Sequence, residues 1–458
     1  MKKTLALLLA TALLYLAHSA PVSVKSQTAA PAKFQTVANP IPNRYIVVLA
    51  TTDLSPVAAP APTPLAATPK STQPSASSAT SSESSATFEA EEAIPADSQV
   101  EATATELTSA YGGTFSLTWS VALKGFRLHA SEAQAIAMSG DSKVAFIVED
   151  GAIAVGTPDG TPIVMGPPDP GAFQNPQRGT SWGLDRIDQH LLPLNQQYGY
   201  INDGTGVNAY VVDTGIFPTH QELLGRASAI YDAVDREGTG IDCNGHGTHV
   251  AGTIGGQIFG VAKKVRLFGV RVLNCQGTGT WSDVIDGVNF VTWHRTQPAQ
   301  QGAPAVANMS LGGETNSAVD AAVRNSIRAR VTYVVAAGNW SSDAAGYSPA
   351  GVLEAITVGA TNRFDTRAEF SNYGPALDLF APGVSITSAW IGDELMIATA
   401  TGTSMASPHV AGVAALYLQT HRSASPAEVR SALVGNSTVG LVINPGQESP
   451  NRLVFTNY

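Results

Sequence analysis

Three residue types that together perform nucleophilic acyl transfer stand in short, Gly-rich surroundings in this chain. Asp213 closes the apolar run "NAYVVD", His246 and His249 lie in "CNGHGTHVAGT", and Ser404 lies in "ATGTSMASPHVAG". A hydroxyl beside a base attacks a carbonyl, an imidazole takes its proton and returns it, and a carboxylate holds the imidazole tautomer and stabilises its cation. Each also has a plainer reading: an Asp after a strand forms turns, a His serves as satisfied structure, and a Ser heading a helix is an N-cap. Two histidines three apart could hold a metal, but the Glu of a zinc-hydrolase helix is missing and no third ligand is near. Ser404 heads a long apolar run through Leu418. That position aims free N–H groups and the positive helix end at a developing oxyanion. Pro408 cannot bond back to the Ser404 carbonyl, so the helix is expected to start irregularly or nearer Pro408.

The elements that must position these residues read as an α/β fold. "GVNAYVVDTGI", "VRLFGVRVL", "APAVANMSLGG", "VTYVVAAGN" and "AITVGATN" are short runs apolar on both faces, separated by helix-length segments. Such runs are the mark of parallel strands buried on both sides. The pattern predicts a mainly parallel central sheet with helices on both faces, among them "GHGTHVAGTIGG", "WSDVIDGVNFVTWHRTQ" and "NSAVDAAVRNSIRAR". A site on such a sheet lies at the carboxyl ends of the strands, where Asp213 stands.

Upstream the chain is organised differently. Lys2 and Lys3, an apolar run from Thr4 to Leu16 and small residues around Ala20 give a secretory leader over residues 1–20. Residues 42–151 read as a small α+β unit: strands at "NRYIVVL", "GFRLHA" and "VAFIVEDG", helices at "QVEATATELTSAYG" and "SEAQAIAMSGD". An Ala/Ser/Pro-rich insertion over 51–98 holds too few large apolar residues to offset chain entropy and is expected to be disordered. A Gly/Pro-rich linker then leads to "SWGLD". With 458 residues, 44% apolar and 14% charged, the chain can bury a large core. Its net charge of -10 argues against a nucleic-acid surface. Export permits disulfides. Cys243 and Cys275 are then most simply a pair worth about 3 to 4 kcal/mol, with two free thiols as the alternative.

Taken together, "YVVDTGI", "NGHGTHVAGT", "MSLGG", "VVAAGN" and "GTSMASPHVAGVAALYL" resemble the subtilase family of serine peptidases, in the branch of proteinase K and aqualysin. The resemblance runs from about Trp182 to Tyr458, and the order Asp, His, Ser is that of subtilisin. It implies a secreted serine endopeptidase of broad specificity with Asp213, His246 and Ser404 as triad and Asn339 as oxyanion donor. Gly277, Thr278, Gly279 and Trp281, with Ser310, Leu311 and Gly312, would clamp an extended polypeptide substrate, and Ala337 and Gly338 would help wall the primary pocket. Those segments carry no charge, so apolar or aromatic side chains are expected before the cleaved bond. No catalytic cofactor is implied. Structural Ca2+ is, with Asp378 as its ligand and the carbonyls near Leu353 and Ala355 as partners.

The 42–151 unit is similar to the family's propeptide, acting as intramolecular chaperone and inhibitor, so residues 21–174 would be propeptide and 175–458 the peptidase domain. Self-cleavage is expected between Gly166 and Gly179, near Asn175. The released enzyme would be a monomer with no membrane attachment. The competing reading is an inactive relative that survives as a binding protein. The four matched site residues count against it.

Overall fold

A sheet of nine strands organises the C-terminal part of the chain. Its order is Ala227–Asp232, Arg266–Arg271, Asn208–Asp213, Ala305–Met309, Val331–Ala336, Ile356–Thr361, Leu379–Pro382, Arg452–Leu453 and Thr438–Val439. Every neighbouring pair is parallel except the last. This computed structural model describes residues 33–50, 94–155, 163–165 and 176–458. The expected leader, most of the insertion and the bond near Asn175 lie outside the described residues.

Helices cover both faces, as the doubly apolar strands require. On one face the helix Thr403–Thr420 runs through the core, with Val410, Val413, Leu416 and Leu418 packed against Val211, Val334 and Val358. On the other, Trp281–Thr296 and Ser317–Arg328 bury Val284, Val288, Ala322 and Val323 against Val212, Val270 and Tyr333.

The N-terminal unit builds an antiparallel sheet from Pro40–Leu49, Thr114–Trp119, Gly125–His129 and Val144–Ala154, with helices Ser98–Tyr111 and Glu132–Ser139. The strand Thr114–Trp119 lies in a stretch for which the sequence predicts no element. Its alternation "TFSLTW" is half polar, so its burial depends on what covers it. The two helix starts follow their caps: Asp97 accepts from Gln99 and Val100, and Ser131 with Gln134 forms a capping box. Strand periodicity splits the central run in two: Tyr45, Val47 and Leu49 face the unit's own helices, while Ile46 and Val48 join the cluster containing Val284 and Val288. Asn289 clasps the turn between the two parts, its Oδ1 accepting from Val121 and Ala122 N–H.

A buried ion pair ties the start of the C-terminal part to a distant loop. Arg186, on the short helix Trp182–Ile187, donates through Nε and Nη2 to the two oxygens of Asp365 at 2.6 and 3.0 Å, and through Nη1 to the Gln189 carbonyl. Removing one partner strands a buried charge. Asp365→Ala is therefore expected to cost about 3–5 kcal/mol in denaturant unfolding, well above a surface substitution.

Candidate active site

Three adjacent parallel strands deliver the candidate residues at their carboxyl ends: Asp213 ends its strand, Ser310 follows Met309, and Asn339 follows the strand ending at Ala336. The fourth and fifth, His246 and Ser404, sit in the first turns of the helices His246–Gly255 and Thr403–Thr420. Asp213 is fully buried, and its Oδ1 accepts from the Thr214 N–H at 2.8 Å and lies 2.7 Å from His246 Nδ1. Neither Asp213 Oδ2 nor His246 Nε2 has a hydrogen-bond partner among the described residues. Burial disfavours the charged imidazole, yet the Asp213 charge and hydrogen bond outweigh it, and the pKa of His246 is raised above its ordinary value.

Asp242 holds this corner in place. Its Oδ1 accepts from Thr214 Oγ1 and the N–H groups of Asn244 and Gly245, and its Oδ2 from the N–H and hydroxyl of Thr248. It thus satisfies free N–H groups at the start of the His246 helix, which has no side-chain cap at Gly245 itself. Gly245 has φ 109°, and a Cβ there would lie 2.3 Å from the Trp390 ring. His249 is structural: it contacts the Ile386 carbonyl through Nε2, and burial pushes its pKa down to about 3.

Ser404 and Ser310 exchange hydrogen bonds. Ser404 Oγ donates to the Ser310 carbonyl at 3.0 Å, and Ser310 Oγ donates to the Ser404 carbonyl at 2.8 Å. The second bond answers the defect expected at Pro408. The helix starts at Thr403, not near Pro408, with a tight Met405 N–H to Gly402 carbonyl bond, and Ser310 takes the carbonyl that Pro408 cannot. Since its one proton goes to Ser310, Ser404 does not donate to His246 Nε2 in this state. Asn339 Oδ1 accepts from the Thr403 N–H and hydroxyl at 2.9 and 2.8 Å, which fixes which end of the amide is the donor.

Among the expected substrate segments, Thr278–Thr280 pairs antiparallel with Ala152–Ala154 of the N-terminal unit, and Ala154 also bridges to Gly312. Val155 N–H reaches the Gly277 carbonyl. Gly279 has no room for a side chain, since a Cβ would lie 2.4 Å from the Val272 carbonyl. Trp281 is buried and packs between Gly151 and Gly313, while Leu311 and Ala337 are buried and Gly338 N–H donates to Thr403 Oγ1. Sequence reasoning missed the supports: Thr214, Asp242, Thr248 and Thr403. A hydroxyl or carboxylate beside a motif reads like any turn residue until the distant element it bonds is known. It also missed Asp150, whose carboxylate accepts from the Ser282 N–H and hydroxyl at the head of the Trp281 helix and from Arg44.

The Cys243–Cys275 pair is bonded, joining the loop before His246 to the loop before Gly277. Asp378 is the carboxylate partner of Arg430, and its Oδ2 accepts from Thr357 N–H. Among the described residues no three His, Cys, Asp or Glu side chains group as a metal site. A calcium ion at Asp378 would compete with the guanidinium for the same carboxylate, so these residues do not fit the ion as they stand.

Residues 204–453 match the profile of the Subtilase family, peptidase group S8. The chain belongs to the subtilase family. It is 49% identical over 347 residues to an extracellular serine proteinase of Thermus sp. (strain Rt41A), covering 76% of this chain and 79% of that protein. It is 46% identical over 334 residues to alkaline serine exoprotease A of Vibrio alginolyticus, covering 73% of this chain and 59% of that one. The crystal structure of a cold-adapted subtilisin-like serine proteinase superposes with TM-score 0.58 at 48% identity, over 61% of this chain and 99% of the other. This subtilase is a serine endopeptidase, and subtilases need no catalytic cofactor. No helix among the described residues is long and apolar enough to cross a membrane.

The disulfide closes a loop of 32 residues that holds His246 and ends shortly before the strand Thr278–Thr280. Replacing both cysteines by Ser is expected to lower unfolding stability by about 3–4 kcal/mol on the chain-entropy account, read as a drop in Tm.

Proposed function

We propose that this subtilase is secreted as a precursor and hydrolyses peptide bonds through an acyl-enzyme on Ser404, with His246 as general base and acid and Asp213 holding His246. The observation that carries the reading is the buried 2.7 Å contact between Asp213 and His246 Nδ1, which leaves Nε2 as the working nitrogen. In the proposed first step Ser404 Oγ leaves the Ser310 carbonyl and donates to Nε2. The oxygen then bonds to the substrate carbonyl carbon as its proton passes to His246, and the C–N bond breaks with that proton on the leaving amine. Water, deprotonated by His246, releases the acyl group as a carboxylic acid and restores the serine. Asn339 and the Ser404 N–H stabilise the oxyanion. Thr278–Thr280 and Ser310–Gly312 hold the substrate as an added strand, so preference comes from the uncharged pocket, which takes apolar or aromatic side chains.

The N-terminal unit is the propeptide, a folding template and inhibitor. Its strand Ala152–Ala154 lying between Thr278–Thr280 and Gly312 supports this, because that groove is where a substrate strand would bind. The likeness to the Thermus proteinase spans 347 residues, more than the stretch from Trp182 to Tyr458 holds, so it reaches into this unit.

Ser404→Ala should leave the precursor uncut and lower peptide turnover by roughly a million-fold, the loss known for subtilisin. Electrophoresis and casein hydrolysis test it, and a variant that matures unaided would refute the role of Ser404. His246 must be neutral to accept the proton. Because its pKa is raised, kcat/KM should fall with decreasing pH through a midpoint above the usual histidine value of about 6.5. In Asp213→Asn the residual activity should show that midpoint moved down.

A further inference from the structure

The turn that carries Asn339 is folded around one distant side chain. Residues 337–342 leave the strand Val331–Ala336 and bend past Asn372, which is fully buried in the segment between Ile356–Thr361 and Leu379–Pro382. Before Asn339, Asn372 Nδ2 donates to the Ala337 carbonyl at 2.9 Å, and the Asn372 N–H donates to the Gly338 carbonyl at 2.9 Å. After Asn339, Asn372 Oδ1 accepts from the N–H groups of Trp340 and Ser342 at 2.9 and 3.1 Å and from the Ser342 hydroxyl at 3.3 Å. Bonds from a single residue thus grip the turn on both sides of Asn339.

Only an amide side chain suits this place, because one end must donate to a carbonyl while the other accepts from two N–H groups. The turn follows it closely: a Cβ on Gly338 would lie 2.5 Å from Asn372 Nδ2 and 2.6 Å from the Trp340 ring. The neighbours of Asn372 add to the grip, since the Phe370 carbonyl accepts from the Ser341 N–H and the Tyr373 N–H donates to the Ser342 carbonyl. On the outside, the half-exposed Trp340 ring stacks on Tyr347 at 4.5 Å.

We propose that Asn372 is a positioning residue for the oxyanion donor Asn339. Thr403 orients the Asn339 amide through its Oδ1, and Asn372 decides where the Asn339 backbone stands. Both are needed, because a donor must meet the oxygen at the place where its charge develops, and a misplacement of about 1 Å costs roughly a hundredfold in rate. Asn372 acts through the turn and not on the substrate. Its loss should therefore fall on kcat, while the segments Thr278–Thr280 and Ser310–Gly312 still hold the peptide.

This rests on Asn339 being the oxyanion donor, and a double-mutant cycle separates the two ideas. Full-length precursors of the wild type, Asn372→Asp, Asn339→Leu and the double variant are matured, and kcat and KM for a short chromogenic peptide are measured beside Tm and circular dichroism. Variants that mature slowly are released by a trace of wild-type enzyme, whose own rate is read in a Ser404→Ala control and subtracted. Asn372→Asp keeps the size and the acceptor for Trp340 and Ser342, but sets an oxygen against the Ala337 carbonyl. It should lower kcat by roughly tenfold to a hundredfold with KM within about twofold. In the Asn339→Leu background the same change should alter kcat by less than about twofold, because effects that pass through one residue do not add. Asn372→Ala, which removes both ends of the amide, should fall at least as far as Asn372→Asp. A fall by the same factor in both backgrounds, or an unchanged kcat in both Asn372 variants, overturns this inference alone. So does a failure of both variants to fold, which would make Asn372 a residue of folding and not of rate. If Asn339→Leu itself keeps the wild-type kcat, the reading of Asn339 falls and this inference with it.

Discussion

The reciprocal pair of hydrogen bonds between Ser404 and Ser310 is the constraint on which the site depends. Pro408 removes the amide that would normally bond the Ser404 carbonyl within the helix, and Ser310 Oγ supplies the replacement from a neighbouring strand end. The Ser310 hydroxyl is itself held, by Asn308 Nδ2 at 2.8 Å and by Ser407 Oγ at 2.9 Å. A helix defect thus becomes a bond between the proposed nucleophile and the wall of the proposed substrate groove. The two cannot shift independently, which is what a geometry-sensitive acyl transfer needs.

The histidine corner is built on the same plan, with a buried carboxylate where the backbone alone would fall short. Asp242 gathers five donors from Thr214, Asn244, Gly245 and Thr248, and so binds the loop after the Asp213 strand to the head of the His246 helix. Asp213 and His246 come from segments 33 residues apart, yet they meet at 2.7 Å because both segments hang from Asp242. One residue beyond Asp242, the disulfide extends this scaffold to the strand that holds Ala152–Ala154. At the other end of that strand, Asp150 plays a similar part across the seam, since its carboxylate binds both the Ser282 N–H and Arg44.

Packing explains why the N-terminal unit belongs where it is. Its central strand is apolar on both faces, and a small sheet with helices on only one side cannot bury Ile46 and Val48 by itself. The helices Trp281–Thr296 and Ser317–Arg328 supply the second cover. The half-polar strand Thr114–Trp119 forms for the same reason, its Leu117 and Trp119 buried in the shared cluster.

The sequence by itself determined the elements whose signals are local. These are the doubly apolar strands of the parallel sheet, the capped helices and the four candidate site residues at strand and helix ends. Each depends on periodicity, capping chemistry or motif, all contained within a few residues. Only the tertiary structure decided what meets what. That Ser310 answers Pro408, that Asp242 joins two segments, that Arg430 takes Asp378, and that Ala152–Ala154 pairs with Thr278–Thr280 all depend on contacts between residues far apart in sequence. A hydroxyl or a carboxylate looks the same in sequence whether solvent or a distant amide takes its hydrogen bond. The fold chooses its partner.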